Sequence, residues 1–184
     1  DNPVAIMKLA SDKSTTLRSI GNLQGEWRTP FLEGLSANLA LGYDIARATR
    51  TTFTPTSLHR EQVGSGDPGD FYREEPAQTN TVLEGFLNYA IPREVGPGLL
   101  DLTGGYSYAE ARGEFPSVLA QGLSTDQLGP NGIPSAITVS SQFNVQESKL
   151  ISFFGRVNYN IRDRYLFNAS LRRDGSSRFG AGNQ

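Results

Sequence analysis

The chain has no cysteine and only one histidine, one methionine and one tryptophan in 184 residues. Without cysteine there is no disulfide framework and no thiolate metal site. His59, the lone histidine, has no second imidazole to complete a metal centre. A charge excess of one sign is missing too: 17 Lys and Arg against 19 Asp and Glu leave a formal net charge of −2. That balance gives no electrostatic basis for binding nucleic acid. The apolar runs are only a few residues long, so none reads as a transmembrane helix. Nucleophile elbow, P-loop and dinucleotide fingerprint are all lacking, and no motif asks for a cofactor or marks a catalytic residue. Neither an initiator Met nor a signal peptide is present. The ends at Asp1 and Gln184 lead us to expect a fragment of a longer protein.

What the chain does have is period-two alternation, the mark of strands with unlike faces. The first predicted strand spans about Thr16 to Arg28, with Leu17, Gly21, Leu23, Gly25 and Trp27 on one face and Arg18, Asn22, Gln24 and Glu26 on the other. The second, about Gly34 to Thr51, sets Leu35, Ala37, Leu39, Leu41, Tyr43 and Ile45 against Asn38, Ala40, Gly42 and Asp44. The third, about Gln78 to Ala90, sets Leu83, Gly85, Leu87 and Tyr89 against Asn80, Glu84 and Asn88. The fourth, about Leu99 to Arg112, sets Leu100, Leu102, Gly104, Tyr106 and Tyr108 against Asp101, Thr103 and Ser107. The fifth, about Lys149 to Ile161, sets Ile151, Phe153, Gly155, Val157 and Tyr159 against Ser152, Arg156, Asn158 and Asn160. The sixth, from Tyr165 to about Arg173, sets Tyr165, Phe167, Ala169 and Leu171 against Asn168, Ser170 and Arg172.

The connections alternate in length. Thr29–Glu33, Ile91–Gly98 and Arg162–Arg164 are short, whereas Thr52–Ala77 and Gly113–Ser148 read as long loops holding most of the Pro and Gly. Short turns at one end and long loops at the other is the pattern of outer-membrane barrels. Trp27, Phe31, Tyr89, Tyr159, Tyr165 and Phe167 gather near the short turns, as an interfacial aromatic girdle would. The expected fold class is therefore all-β, with antiparallel up-and-down strands forming part of a large transmembrane β-barrel. Six strands cannot close alone, because an open edge in hydrocarbon leaves unpaired amides. The whole of 1–184 is thus one partial barrel segment, with the rest of the barrel outside it. A soluble β-sandwich shows the same alternation with its apolar face turned inward. A sandwich that binds carbohydrate, or a surface glycan-processing protein, is the alternative reading.

One stretch carries a resemblance. Phe154-Gly155-Arg156-Val157-Asn158-Tyr159-Asn160, then Asp163-Arg164-Tyr165-Leu166, then Leu171-Arg172-Arg173-Asp174-Gly175-Ser176-Ser177-Arg178-Phe179-Gly180 closely resembles the SusC/RagA family of TonB-linked outer-membrane receptors. Asn2-Pro3-Val4-Ala5, Gly34-Leu35 with Leu41-Gly42-Tyr43-Asp44, and Gly104-Gly105-Tyr106-Ser107-Tyr108 echo the same family. The resemblance implies import of nutrients, usually glycans or peptides, across the bacterial outer membrane. It also implies a plug domain, a SusD-like surface lipoprotein as lid, and coupling to TonB through an N-terminal region not among these residues. With outer-membrane lipid, these are the expected partners.

Among polar residues, Arg156 and Arg172 should point into the lumen, and Arg178 follows a Gly-Ser-Ser turn. Bidentate guanidinium geometry suits plug carboxylates or an anionic substrate group, while a charge network that stiffens the wall is the plainer role. Asp174-Gly175-Ser176-Ser177 reads as a turn. Tyr72, Phe71 and Phe115, placed in the loops, could stack on sugar rings. Asp67-Pro68-Gly69-Asp70 with Glu74-Glu75 forms an acidic loop whose spacing misses the EF-hand pattern, so a solvated loop is expected there. Nothing positions two carboxylates as a glycosidase pair.

Overall fold

A computed structural model describes residues 3–58 and 68–178. A seven-residue helix α1 (Pro3–Leu9) opens the described chain, with Pro3 at its first turn, where the missing N–H costs nothing. Seven strands follow: β1 (Ser11–Arg28), β2 (Leu35–Thr54), β3 (Asp70–Glu74), β4 (Ala77–Ala90), β5 (Gly98–Leu123), β6 (Ala136–Ile161) and β7 (Tyr165–Ser176). They belong to one sheet in the order β1-β2-β3-β5-β6-β7, and β4 pairs with β2 and β5. The printed registers of β2 with β3, β3 with β5 and β6 with β7 are all antiparallel.

Six of these strands match the period-two reading with their ends moved, whereas β3 lies in the stretch 52–77 that was expected to be loop. The third expected strand is β4, and Glu75-Pro76 separates it from β3. There the ladder continues through Glu75 N–H to Pro116 O (3.0 Å) and Ala48 N–H to Pro76 O (2.9 Å), while Pro76 itself has no N–H to give. The two long loops shrink most. β5 runs on to Leu123 and β6 starts at Ala136, so most of the stretch expected as loop 113–148 is strand. Asp174-Gly175-Ser176 is strand too, registered against Ser152, Ile151 and Leu150. In each case a partner strand supplies hydrogen bonds that outweigh local Gly and Pro punctuation.

The residues fall into two compact units, each built from parts of several strands. The first comprises 1–18, 45–78 and 113–146. It holds an apolar cluster of Phe71, Ala120 and Leu123, with Phe53, Ile133 and Ala136 packed against it. Phe71 sits opposite Phe53 on β2 and Ala120 on β5. Two loops meet beside this cluster: the Thr56 N–H and hydroxyl both donate to the Asp126 carboxylate, at 2.7 and 2.9 Å. Gly69 (φ +83°) passes close to Thr56, and its carbonyl accepts from Gly122 N–H at 2.9 Å.

The second unit comprises 19–44, 79–112 and 147–184. No apolar residue described in it is buried; its buried positions are Gly98 and Ser152. Its connections are short, as expected. The turn at Arg162 and Asp163 places both in the left-handed region (φ 48° and 54°), as a tight turn matched to strand twist demands. Asn160 and Asp163 hold it by mutual side-chain and backbone bonds of 2.6 and 3.0 Å.

Candidate functional site

In the second unit the two faces of the sheet can be compared residue by residue. Along β2, Leu39, Leu41 and Tyr43 are exposed, whereas Asn38, Ala40, Gly42 and Asp44 are partly covered. The pattern is the reverse of a soluble sheet, where the apolar side is the covered one. The β6–β7 register sorts the same way. Val157 faces Ala169, Tyr159 faces Phe167 and Ile161 faces Tyr165 on one side, while Arg156 faces Ser170 and Asn158 faces Asn168 on the other. Phe153 is 58% exposed and Leu171 80%, and the ring of Phe153 lies 5.2 Å from that of Tyr106. Such a face is stable against hydrocarbon and unstable against water. Toward the short connections it ends in Trp27 with Phe31 (6.0 Å between rings), Tyr159, Tyr165 and Phe167.

The opposite face carries a groove of about 470 Å³, lined by Glu84, Phe86, Thr103, Ser107, Phe154, Arg156, Ser170 and Arg172 among others. Alternation on β4, β5, β6 and β7 brings these side chains to one side. Arg172 is anchored: its guanidinium donates to Asp174 at 2.8 Å and to the buried Ser152 hydroxyl at 3.1 Å. Arg156 has no hydrogen-bond or ion-pair partner among the described residues, and neither has Glu84. Thr103 donates to Asn88 at 2.8 Å, and Asn168 to Asn158. The groove offers fixed charges and amides but no paired acid and base positioned for proton transfer.

Of the five residues singled out from the sequence, the groove unites Arg156 and Arg172 and none of the others. Arg178 is exposed just past β7, its N–H donating to the Ser176 hydroxyl at 3.3 Å. Tyr72 and Phe115 are strand residues of the first unit, not loop residues. Tyr72 donates its hydroxyl to Glu74 at 2.9 Å, and its partial burial pushes the phenol pKa up. Phe115 lies over Gly113, where a Cβ would meet its ring at 2.8 Å. Phe71 is 1% exposed and serves the core, so no sugar could stack on it. Strand alternation sends Glu74 and Glu75 to opposite faces. Glu74 stands 3.7 Å from Arg50, while Glu75 is taken by Arg73. His59 and Asp67 lie outside the described residues. The sequence reading missed Phe86 and Phe154 as parts of the groove. Their signal was an aromatic breaking an otherwise polar face.

No protein-family model matches the chain. Over 187 residues and its whole length it is 31% identical to TonB-dependent receptor P3 of Formosa agariphila. Over 186 residues it is 27% identical to TonB-dependent receptor SusC of Bacteroides thetaiotaomicron. It spans 18% and 17% of these two relatives' lengths. Its fold matches that of the RagAB peptide importer in the open-open state with a TM-score of 0.78, at 23% identity, covering 97% of this chain and 19% of that one. The closed-closed state gives 0.76, at 22% identity, over 96% of this chain and 19% of the other.

Proposed function

Because the chain belongs to the outer-membrane TonB-dependent receptors of the SusC kind, we propose that its strands form part of the barrel of a transporter that imports nutrients such as glycans or peptides. The observation that carries this reading is the inverted burial of the second unit, with leucines and aromatics exposed and polar residues partly covered. On this reading the apolar face meets lipid and the polar face meets the lumen. The roughly 9–11 residues of each strand nearest the short connections cross the hydrocarbon, and those connections face the periplasm. Arg156 and Arg172 then line the passage, and the chain itself performs no catalysis. A SusD-like lipoprotein at the outer rim, and TonB acting through parts of the protein beyond these residues, complete the working assembly.

The sandwich alternative lacks support, because no apolar residue described in the second unit is buried and a sandwich needs a dry core between two sheets. Light scattering of the purified 184 residues in buffer without detergent tests the reading. Aggregation that detergent relieves is expected, because open strand edges and an apolar face both meet water. A stable monomer that melts cooperatively and binds or hydrolyses a glycan would overturn it.

A further inference from the structure

Three glycines on the apolar face of the second unit have no explanation within the described chain. Gly25, Gly85 and Gly104 lie inside β1, β4 and β5, where a glycine weakens a strand and marks a bulge, a bend or a close approach. None of the three has a left-handed φ. Packing does not exclude a side chain either. A Cβ at Gly25 would meet nothing within 4 Å, and the nearest atoms to one at Gly85 or Gly104 would stand at 3.7 and 4.0 Å. Gly21 and Gly105 differ, because the rings of Tyr43 and Phe154 already occupy their Cβ positions. The three open glycines floor a hollow of about 680 Å³, walled by Trp27, Leu39, Leu87, Tyr106 and Phe153. Trp27 is the last residue but one of β1, at a short connection, and Phe153 stands eight residues before the end of β6 at Ile161. At about 3.3 Å per residue and a tilt of 35–45°, the hollow extends over roughly 20 Å of depth.

We propose that this hollow holds one acyl chain of a phospholipid from the periplasmic leaflet, retained through detergent extraction while the surrounding lipid exchanges. The inference rests on the apolar face being the lipid face. In hydrocarbon no hydrophobic force drives association, so close packing decides which neighbour stays. Small residues permit that approach. A chain lying over Gly25, Gly85 and Gly104 touches backbone below and side chains beside it, whereas over Leu41 it meets a side-chain end. A hollow left unfilled would forfeit those dispersion contacts. Its glycine backbone, alkyl walls and aromatic rings suit an alkyl chain. The leaflet follows from which end is closed. Tyr106 and Phe153, with rings 5.2 Å apart, stand at the end remote from the short connections. The other end opens at Trp27, whose amphipathic ring marks the level of the headgroups.

The test uses the intact receptor in outer membranes, with photoreactive benzoylphenylalanine in place of Leu87 in the hollow, or of Leu41 on the same face outside it. Illumination before extraction should join both positions to lipid. Illumination after extraction and washing in dodecyl maltoside should still give a phospholipid adduct at the Leu87 position, read by mass spectrometry. Its yield should exceed that at the Leu41 position about tenfold, the ratio that corresponds to about 1.4 kcal/mol. Gly104→Leu and Gly25→Leu fill the floor where a Cβ has room, and each should bring the two positions level. Heat-modifiable migration in detergent reports that each variant has formed its barrel. Equal loss at both positions on washing would overturn the inference and leave the transporter reading standing. So would retention unchanged by filling, or adducts at the Leu87 position only to protein or to outer-leaflet glycolipid. A formed barrel with no lipid adduct at either position before extraction would overturn both.

Discussion

Tyr159 on β6 donates its phenol hydrogen to the backbone carbonyl of Val95 at 2.6 Å, tying a strand to the connection between β4 and β5. That connection also holds Gly96 at φ +65°, with the Tyr159 hydroxyl 3.4 Å from where its Cβ would be. Tyr159→Phe removes one bond and keeps the ring. We expect a loss of about 1 kcal/mol in urea unfolding of the intact receptor in detergent. Hydrogen exchange should quicken locally at Val95–Gly98. An unchanged midpoint and unchanged exchange would show that the bond contributes nothing.

Gly105 has no room for a side chain between Phe86 and Phe154. Gly105→Ala should therefore destabilise the receptor by about 1–3 kcal/mol, the usual cost of overpacking. Phe154→Ala empties the space the new methyl needs. The double variant should thus be more stable than the sum of the two single losses predicts. Strict additivity in unfolding titrations would show that the ring does not occupy that position.

Leu41 lies on the exposed apolar face of β2, well inside the strand. Leu41→Arg should cost roughly 2–4 kcal/mol in a lipid refolding titration, because it puts a charge near the bilayer midplane. Asn22→Arg, at an exposed position on the polar face of β1, should shift stability by no more than about 0.5 kcal/mol. Equal effects at the two positions would contradict the assignment of faces.

Asp12 and Arg50 form a two-pronged pair in the first unit, at 2.8 and 3.1 Å, near the ends of β1 and β2 remote from the short turn that joins them. The Arg50 guanidinium holds the Asp12 carboxyl below its ordinary value of 3.8, and the carboxylate raises Arg50 in turn. A carboxyl depressed on folding adds stability above its unfolded pKa, and that contribution fades as pH falls through the folded one. The stability difference between wild type and Asp12→Asn should therefore be flat from neutral pH to about pH 5 and shrink below it. Both groups are exposed, so the difference should also diminish in high salt. A difference that grows on acidification would refute the pairing.

Much of this protein was legible in its sequence because a strand shows its two faces every second residue. Leu39, Leu41, Phe153, Val157 and Phe167 were assigned to one side by period alone, and the structure leaves all five exposed there. The upper half of β6 was legible too but was read as loop: Ile137, Val139, Phe143 and Val145 alternate in register and are exposed together. The neighbouring Pro and Gly drew the reading away. The end of β5 had no comparable signal, since Gly113 and Pro116 read as breakers until a partner strand is known. Pro116 keeps its place in the ladder through its carbonyl, which needs only an acceptor role.

By itself, then, the sequence determined the all-β class, the antiparallel order, the facing of every strand but β3 and the short turns, all of which depend on spacing along one chain. Tertiary structure decided what depends on atoms far apart in sequence. Pairing with β2 and β5 made Asp70–Glu74 a strand and moved Tyr72 out of the loop it was read in. Close approach over Gly105 turned Phe86 and Phe154 into one floor. Arg172 was anchored by Ser152 and Asp174, whereas Arg156, of the same residue type on the same face, was left open. Alternation can say which way a side chain points. Only the neighbouring strands, by the hydrogen bonds and space they offer, decide what it meets there.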